Sequence, residues 1–131
     1  MFLDTNVIVS AFATRGLCAD VLRFVLAEHT LVTGDVVLRE LARVLRSRTR
    51  LPRAKIDDIL SFLREHEVVP KPTAPSDLAI RDEDDRWVLA SAVAGAADVL
   101  VTGDRDLLDV AALAPVKIVD PRGFWELASR P

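Results

Sequence analysis

A single cysteine, Cys18, is all the thiol that 131 residues carry, so no internal disulfide can staple the chain. Cys18 reads as a small buried or half-buried side chain. No apolar run approaches the roughly 18 residues of a membrane span. The opening residues, Met1-Phe2-Leu3-Asp4, lack the basic and apolar regions of a secretory signal. There is no low-complexity segment and no internal linker. These absences together predict a cytoplasmic protein without membrane association. Histidine is scarce as well: His29 and His66 fall at helix–strand junctions and read as surface residues.

What is present is a globular composition, 50% hydrophobic and 28% charged. The length predicts one domain over residues 1–131, burying roughly two thirds of its unfolded surface. Net charge is only −3, which by itself speaks weakly against a nucleic-acid partner. Its distribution says more. Between Arg39 and Lys55 there are seven basic residues and one acid, Glu40, so this segment carries +6 and the rest −9. Such asymmetry suits a polyanion-binding face beside an acidic site, or simply a solvated helix face.

Strand and helix patterns alternate along the chain. Strands are expected at Phe2-Leu3, Thr30–Thr33, Glu67–Val69, Asp98–Val101 and Val116–Val119. Helices are expected over Val7–Ala13, Ala19–Glu28, Val36–Arg46, Pro52–Glu65, Asp84–Ala96, Arg105–Leu113 and Pro121–Ser129. Pro70, Pro72 and Pro75 mark a loop. Alternation of this kind implies an α/β fold with a parallel sheet. The expected architecture is three-layer α/β/α with five strands in the order 3-2-1-4-5.

Ligands in such sheets collect at the carboxyl ends of the strands, where strand order reverses. For this order the reversal lies between strands one and four. Asp4 ends strand one and Asp104 follows strand four. Helix phase locates further acids. Val37, Leu38, Leu41, Val44 and Leu45 form one buried stripe, with Glu40 at its edge and Arg39, Arg43 and Arg46 pointing away. Val88, Leu89, Ala92, Val93 and Ala96 form another. Asp85 falls at its centre, Asp82 at its edge, Asp84 beyond and Glu83 outward. Acids favour a helix N-terminus, which accounts for Glu83 and Asp84 but not for a carboxylate on an apolar stripe.

The pentapeptide LVTGD occurs twice, at Leu31–Asp35 and Leu100–Asp104. Asp35 is expected to serve the positive end of a helix, with Gly34 as a tolerated cap. Asp104 is expected at the site instead. Carboxylates ~4 Å apart at an effective dielectric of ~20 repel by roughly 4 kcal/mol per pair. Convergence of Asp4, Glu40, Asp85 and Asp104 therefore demands protonation or a cation. Oxygen ligands without nearby His or Cys favour Mg²⁺ or Mn²⁺ over zinc.

The segments MFLDTNVIVSAF, VVLRELARVL, DEDDRWVLASA and LVTGDRDLL, in this order and spacing, resemble the PIN-domain family, and within it the prokaryotic VapC-type toxins. The resemblance covers nearly the whole chain, and the four segments together are specific where each alone is weak. It implies a metal-dependent endoribonuclease that leaves 5′-phosphate and 3′-hydroxyl ends, with one or two Mg²⁺ or Mn²⁺ ions. The family's acid quartet matches Asp4, Glu40, Asp85 and Asp104. Asn6, Thr102, Asp106 and Asp82 fall in supporting positions. The resemblance also implies an RNA substrate, a small antitoxin protein as partner and a homodimer. RNA contacts would then come from Arg39, Arg43, Arg46, Arg48 and Arg50. Two departures stand out: strand one is short, and Gly34 replaces a frequent capping serine or threonine.

Rival readings are a non-catalytic PIN module that binds RNA or a protein, and a phosphatase of the haloacid dehalogenase type. The phosphatase wants a second aspartate two residues after the first, where this chain has Asn6. The phospho-acceptor and lysine of a receiver domain have no clear counterparts in this chain. Phe12, Phe24 and Phe62 are expected in the core, Trp125 to dock the last helix, and Trp87 to pack on a loop rather than stack on a base.

Overall fold

The fold is that of a computed structural model, described over residues 1–129. Five short strands, β1 Phe2–Leu3, β2 Val32–Gly34, β3 Glu67–Val69, β4 Val99–Val101 and β5 Lys117–Val119, form one sheet in the order β3-β2-β1-β4-β5. All four pairings are parallel. The expected strand order holds. Helices fill every connection: α1 Thr5–Ala13 and α2 Leu17–Glu28, α3 Asp35–Arg48 and α4 Arg53–Arg64, α5 Glu83–Ala94, and α6 Arg105–Leu108. The last helix, α7 Pro121–Ala128, follows β5. Crossovers from β1 toward β3 run one way and those from β3 toward β5 run back. Right-handed connections therefore place α1–α4 and α5–α6 on opposite faces. The last helix returns to pack on α2.

Phe2 and Leu3 are fully buried, as befits a central strand covered on both faces. Leucines and valines of α3 and α5 complete the core, including Leu38, Leu41, Leu45, Val88 and Leu89. Phe12, Phe24 and Phe62 pack against its border, each half-buried. Trp125 meets Phe24 edge-on, with ring centroids 6.2 Å apart. Among the described residues, no helix is long and apolar enough to cross a membrane.

Three local expectations need correction. The helix after β4 ends at Leu108 rather than Leu113, and turns carry the chain to β5. Val93 is 43% exposed, while Ser91 is fully buried. That helix is apolar or small on most sides, so periodicity underdetermined its phase. Contact decided it: a Cβ on Gly34 would stand only 3.2 Å from the Ser91 Cβ, so β2 and α5 meet through two small residues. His66 is half-buried, its Nδ1 3.0 Å from the Phe62 carbonyl, whereas His29 is exposed as expected.

The end of α5 carries a conflict. Ala97 N–H donates to the Ala92 carbonyl and Ala96 N–H to that of Val93, a Schellman pattern. Its left-handed position belongs to Ala96, at φ 52°, although glycine is the residue suited to it. The glycine stands one position earlier because a Cβ on Gly95 would lie 2.6 Å from Val69 Cγ2. Ala96→Gly is expected to stabilise the protein by about 0.5–1 kcal/mol, and Gly95→Ala to destabilise it. Urea unfolding of both variants measures this, and opposite signs are the expected result.

Candidate metal centre

Parallel pairing sets the site. Phe2 is level with Leu100 and Leu3 with Val101. One step further, Asp4 and Thr102 stand side by side at the carboxyl ends of β1 and β4. Asp4 N–H donates to the Val101 carbonyl at 2.9 Å, and the Thr102 hydroxyl donates to Asp4 Oδ2 at 2.7 Å. Thr5 N–H donates to Asp4 Oδ1 at 2.7 Å, so Asp4 also caps α1. The Thr102 hydroxyl in turn accepts from the Asp104 N–H at 3.0 Å. Asn6 is exposed, and these bonds to Asp4 come from Thr5 and Thr102 instead.

The tightest group of acids is Asp85, Asp104 and Asp106, whose ligand oxygens lie within 4.8 Å of one another. Asp85 reaches it from the first turn of α5 and is 7% exposed. Asp104 and Asp106 come from the start of α6, where Asp106 N–H donates to Asp104 Oδ1 at 2.8 Å. Asp106, expected only in support, is thus central to the geometry. Asp4 adjoins the group, and Glu40 lies on the far side, near Asp4 and Asp84. Asp82 caps α5 by accepting from Asp84 N–H at 2.9 Å. Arg81 offers the group an exposed cation, 3.4 Å from Asp106 Oδ1.

The second LVTGD does not divide the labour as expected. Asp104 both caps α6 and faces the acidic group. The expectation for the first copy fits the structure: Asp35 begins α3, and Gly34 precedes it as a cap without a side-chain bond.

Electrostatics records the crowding. Burial raises the Asp4 carboxyl, the bonds from Thr102 and Thr5 lower it, and Asp104 and Asp82 raise it again, leaving a net rise. Glu40 is raised by burial, then by Asp4 and Asp84, against a lowering by Arg43. Asp85 is pushed from an ordinary 3.8 up to about 8, by burial first and then by Asp104, Asp4 and Asp82. As a carboxylate, its buried Oδ2 has no hydrogen-bond donor. Protonation of Asp85 relieves this, and so would a cation. The donor set is all oxygen and negatively charged, which fits a hard divalent ion. Asp85, Asp104 and Asp106 are the residues placed to hold it, with Asp4 alongside and Glu40 on the far side.

Beside the crevice a groove of about 380 Å³ opens between α3 and α5, lined by Val36, Arg39, Glu40, Arg43, Lys71, Asp84, Trp87 and Val88. Lys71 Nζ stands 4.4 Å from the centre of the Trp87 ring. No sequence pattern linked these two, because the proline loop between them sets the contact. Arg46, Arg48 and Arg50 are exposed further along the same helix and its exit.

A parallel 3-2-1-4-5 sheet with acids at its reversal point defines a class of α/β proteins with an acidic crevice. A family model described as PIN domain matches residues 1–106, and the chain belongs to that family. Two solved structures share its fold. One is VapBC2 from Rickettsia felis bound to a DNA fragment from their promoter: 14% identity, TM-score 0.63, covering 91% of this chain and 96% of that one. The other is PAE2754 from Pyrobaculum aerophilum: 20% identity, TM-score 0.62, covering 98% and 89%. No curated protein sequence matches the chain.

The raised carboxyls fix a pH dependence. The folded protein keeps protons that the unfolded chain releases, so metal-free stability falls as pH rises from about 4 to about 8. Asp85→Asn is expected to flatten that fall. Mn²⁺ is expected to raise the wild-type melting temperature at pH 8. The rise should shrink in Asp85→Asn and persist in Glu83→Gln. Thermal melts across pH, with and without Mn²⁺, check all three.

Proposed function

We propose that the chain is a Mg²⁺- or Mn²⁺-dependent endoribonuclease acting in the cytoplasm as the toxin of a toxin–antitoxin pair. The observation that carries the reading is the acidic crevice. Three carboxylates lie within ligand distance of one another, Asp4 adjoins them, and the buried Oδ2 of Asp85 has no donor. Membership of the PIN family, whose members are generally nucleases, supports the reaction class. The likeness to VapBC2, solved with DNA from its promoter, supports a small antitoxin partner. A homodimer and an RNA substrate belong to the same reading.

When bound, one or two divalent ions would lower the pKa of a water and stabilise both oxygens of the phosphodiester displacement. The remaining work falls to the chain. Asp4 is held by Thr102 and the α1 N-terminus, so its carboxylate keeps one orientation. Asp104 is fixed in the same way by Asp106 N–H. Asp85 projects from the first turn of α5 into the acidic group, which suits its carboxylate to hold the ion or to orient a water beside it. Arg39, Arg43, Arg46, Arg48 and Arg50 are all exposed. Among the described residues no ion pair engages them. They are free to draw a phosphate backbone toward a crevice that would otherwise repel it.

Incubation with mixed RNAs in Mg²⁺, Mn²⁺ or EDTA tests the activity. Cleavage is expected with either metal and none with EDTA. Asp104→Asn should abolish cleavage, whereas Asp35→Asn should cost about 0.3–1 kcal/mol of stability and leave cleavage near normal. Loss of activity in a folded Asp35→Asn protein would contradict the placement of the centre. A catalytically silent wild type that still binds RNA would favour the non-catalytic module.

The basic segment has its own test. Replacing Arg46, Arg48 and Arg50 together with glutamine should weaken RNA binding and reduce its salt slope by about 2–3. Metal binding should be unaffected. An unchanged slope would move RNA to another surface.

A further inference from the structure

The groove between α3 and α5 combines features that the acidic centre does not use. Trp87 presents an indole face that is half-buried and backed by its own helix. Lys71 covers that face from an exposed position on the loop after β3. Arg39 and Arg43 stand on the opposite wall, and Glu40 belongs both to this groove and to the acids that sense Asp4. A strand whose phosphodiester lay in the crevice would therefore lead directly into a groove with an aromatic plane and three cations.

Magnitudes decide what belongs on the ring. An ammonium over an indole at an exposed position is worth roughly a 2- to 5-fold preference. A nucleobase stacked on an aromatic side chain is worth roughly 5- to 150-fold. A base therefore displaces the lysine, and the released ammonium remains within reach of the phosphates beside it.

We propose that Trp87 is a stacking subsite for one unpaired base of the bound RNA, covered by Lys71 until the base arrives. Lys71 then pairs with an adjoining phosphate, while Arg39 and Arg43 follow the backbone. This rests on the ribonuclease reading and adds to it a positioning residue and a requirement. The nucleotide that reaches Trp87 must be unpaired, because a paired base has no free face to offer. Asp84 at the rim keeps the groove from being uniformly basic, which disfavours phosphate-only binding there.

The chain has two tryptophans, so Trp125→Phe leaves Trp87 as the sole indole. In that background, with Asp104→Asn to prevent cleavage, a single-stranded oligoribonucleotide should quench the indole emission. Inorganic polyphosphate, which carries charge but no base, should leave the emission unchanged. In otherwise wild-type enzyme, Trp87→Ala should raise KM about 10-fold or more with little change in kcat, and Trp87→Phe should restore most of the loss. Lys71→Gln should lower the salt slope of binding by about 1. RNA that binds by anisotropy yet leaves Trp87 emission unchanged would overturn the subsite and leave the ribonuclease reading standing. That result would reassign the groove to a protein segment. Failure to bind or cleave any RNA would overturn both. Should Trp87→Ala not fold, the emission measurement decides alone.

Discussion

The hydrogen bond from Thr102 to Asp4, 2.7 Å long and fully enclosed, ties the two halves of the sheet together where strand order reverses. On one side run β1, β2 and β3; on the other, β4 and β5. A carboxylate at this depth needs donors, and it has two: a side chain from the neighbouring strand and the first free N–H of its own helix. Because Thr102 also accepts from Asp104 N–H, the same contact positions the second acid. The acidic centre therefore grows out of backbone pairing rather than out of flexible loops.

That construction explains why so much negative charge is tolerated in one place. Asp4, Asp82 and Asp104 each cap a helix, and the positive helix ends partly offset their charge. Asp85 lies in the first turn of α5 as well, but its buried Oδ2 has no donor. It is carried inward on an otherwise apolar stripe, and burial together with its neighbours lifts its proton affinity. The centre is thus held ready for neutralisation. The groove alongside sets Arg39, Arg43 and Lys71 among Glu40 and Asp84, so cations stand close to the crowded acids.

Much of this was legible in the sequence. Helical stripes of period 3.6 gave the helices, and short apolar runs between them gave the strands and implied parallel pairing. Asp85 stood out because a charge on a buried stripe contradicts the pattern around it. Other features lacked a local signal. Val93 is exposed against expectation and Ser91 is buried in its place, because a helix of small residues has no single preferred face. Lys71 reached Trp87 only through the path of a proline loop. Asp106 was expected only in a supporting position, and its approach to Asp85 depends on where α5 and α6 meet.

The two LVTGD segments divide sequence from structure most clearly. Both were readable as an apolar strand running into a helix, and both are. Their sheet positions differ by one residue: Phe2 is level with Val32 in the first copy and with Leu100 in the second. In a parallel sheet a one-residue shift reverses every side chain. Thr33 is therefore buried with its hydroxyl unpartnered, whereas Thr102 bonds Asp4. Gly34 packs against Ser91, whereas a Cβ on Gly103 would meet nothing within 4 Å. Asp35 opens α3 one strand away, whereas Asp104 caps α6 and joins the acids. Local sequence determined the shared strand-to-helix turn, since that needs only an apolar run, a glycine and an acid. Register against β1 decided which copy became part of the centre, because only pairing between distant segments fixes the direction in which a side chain points.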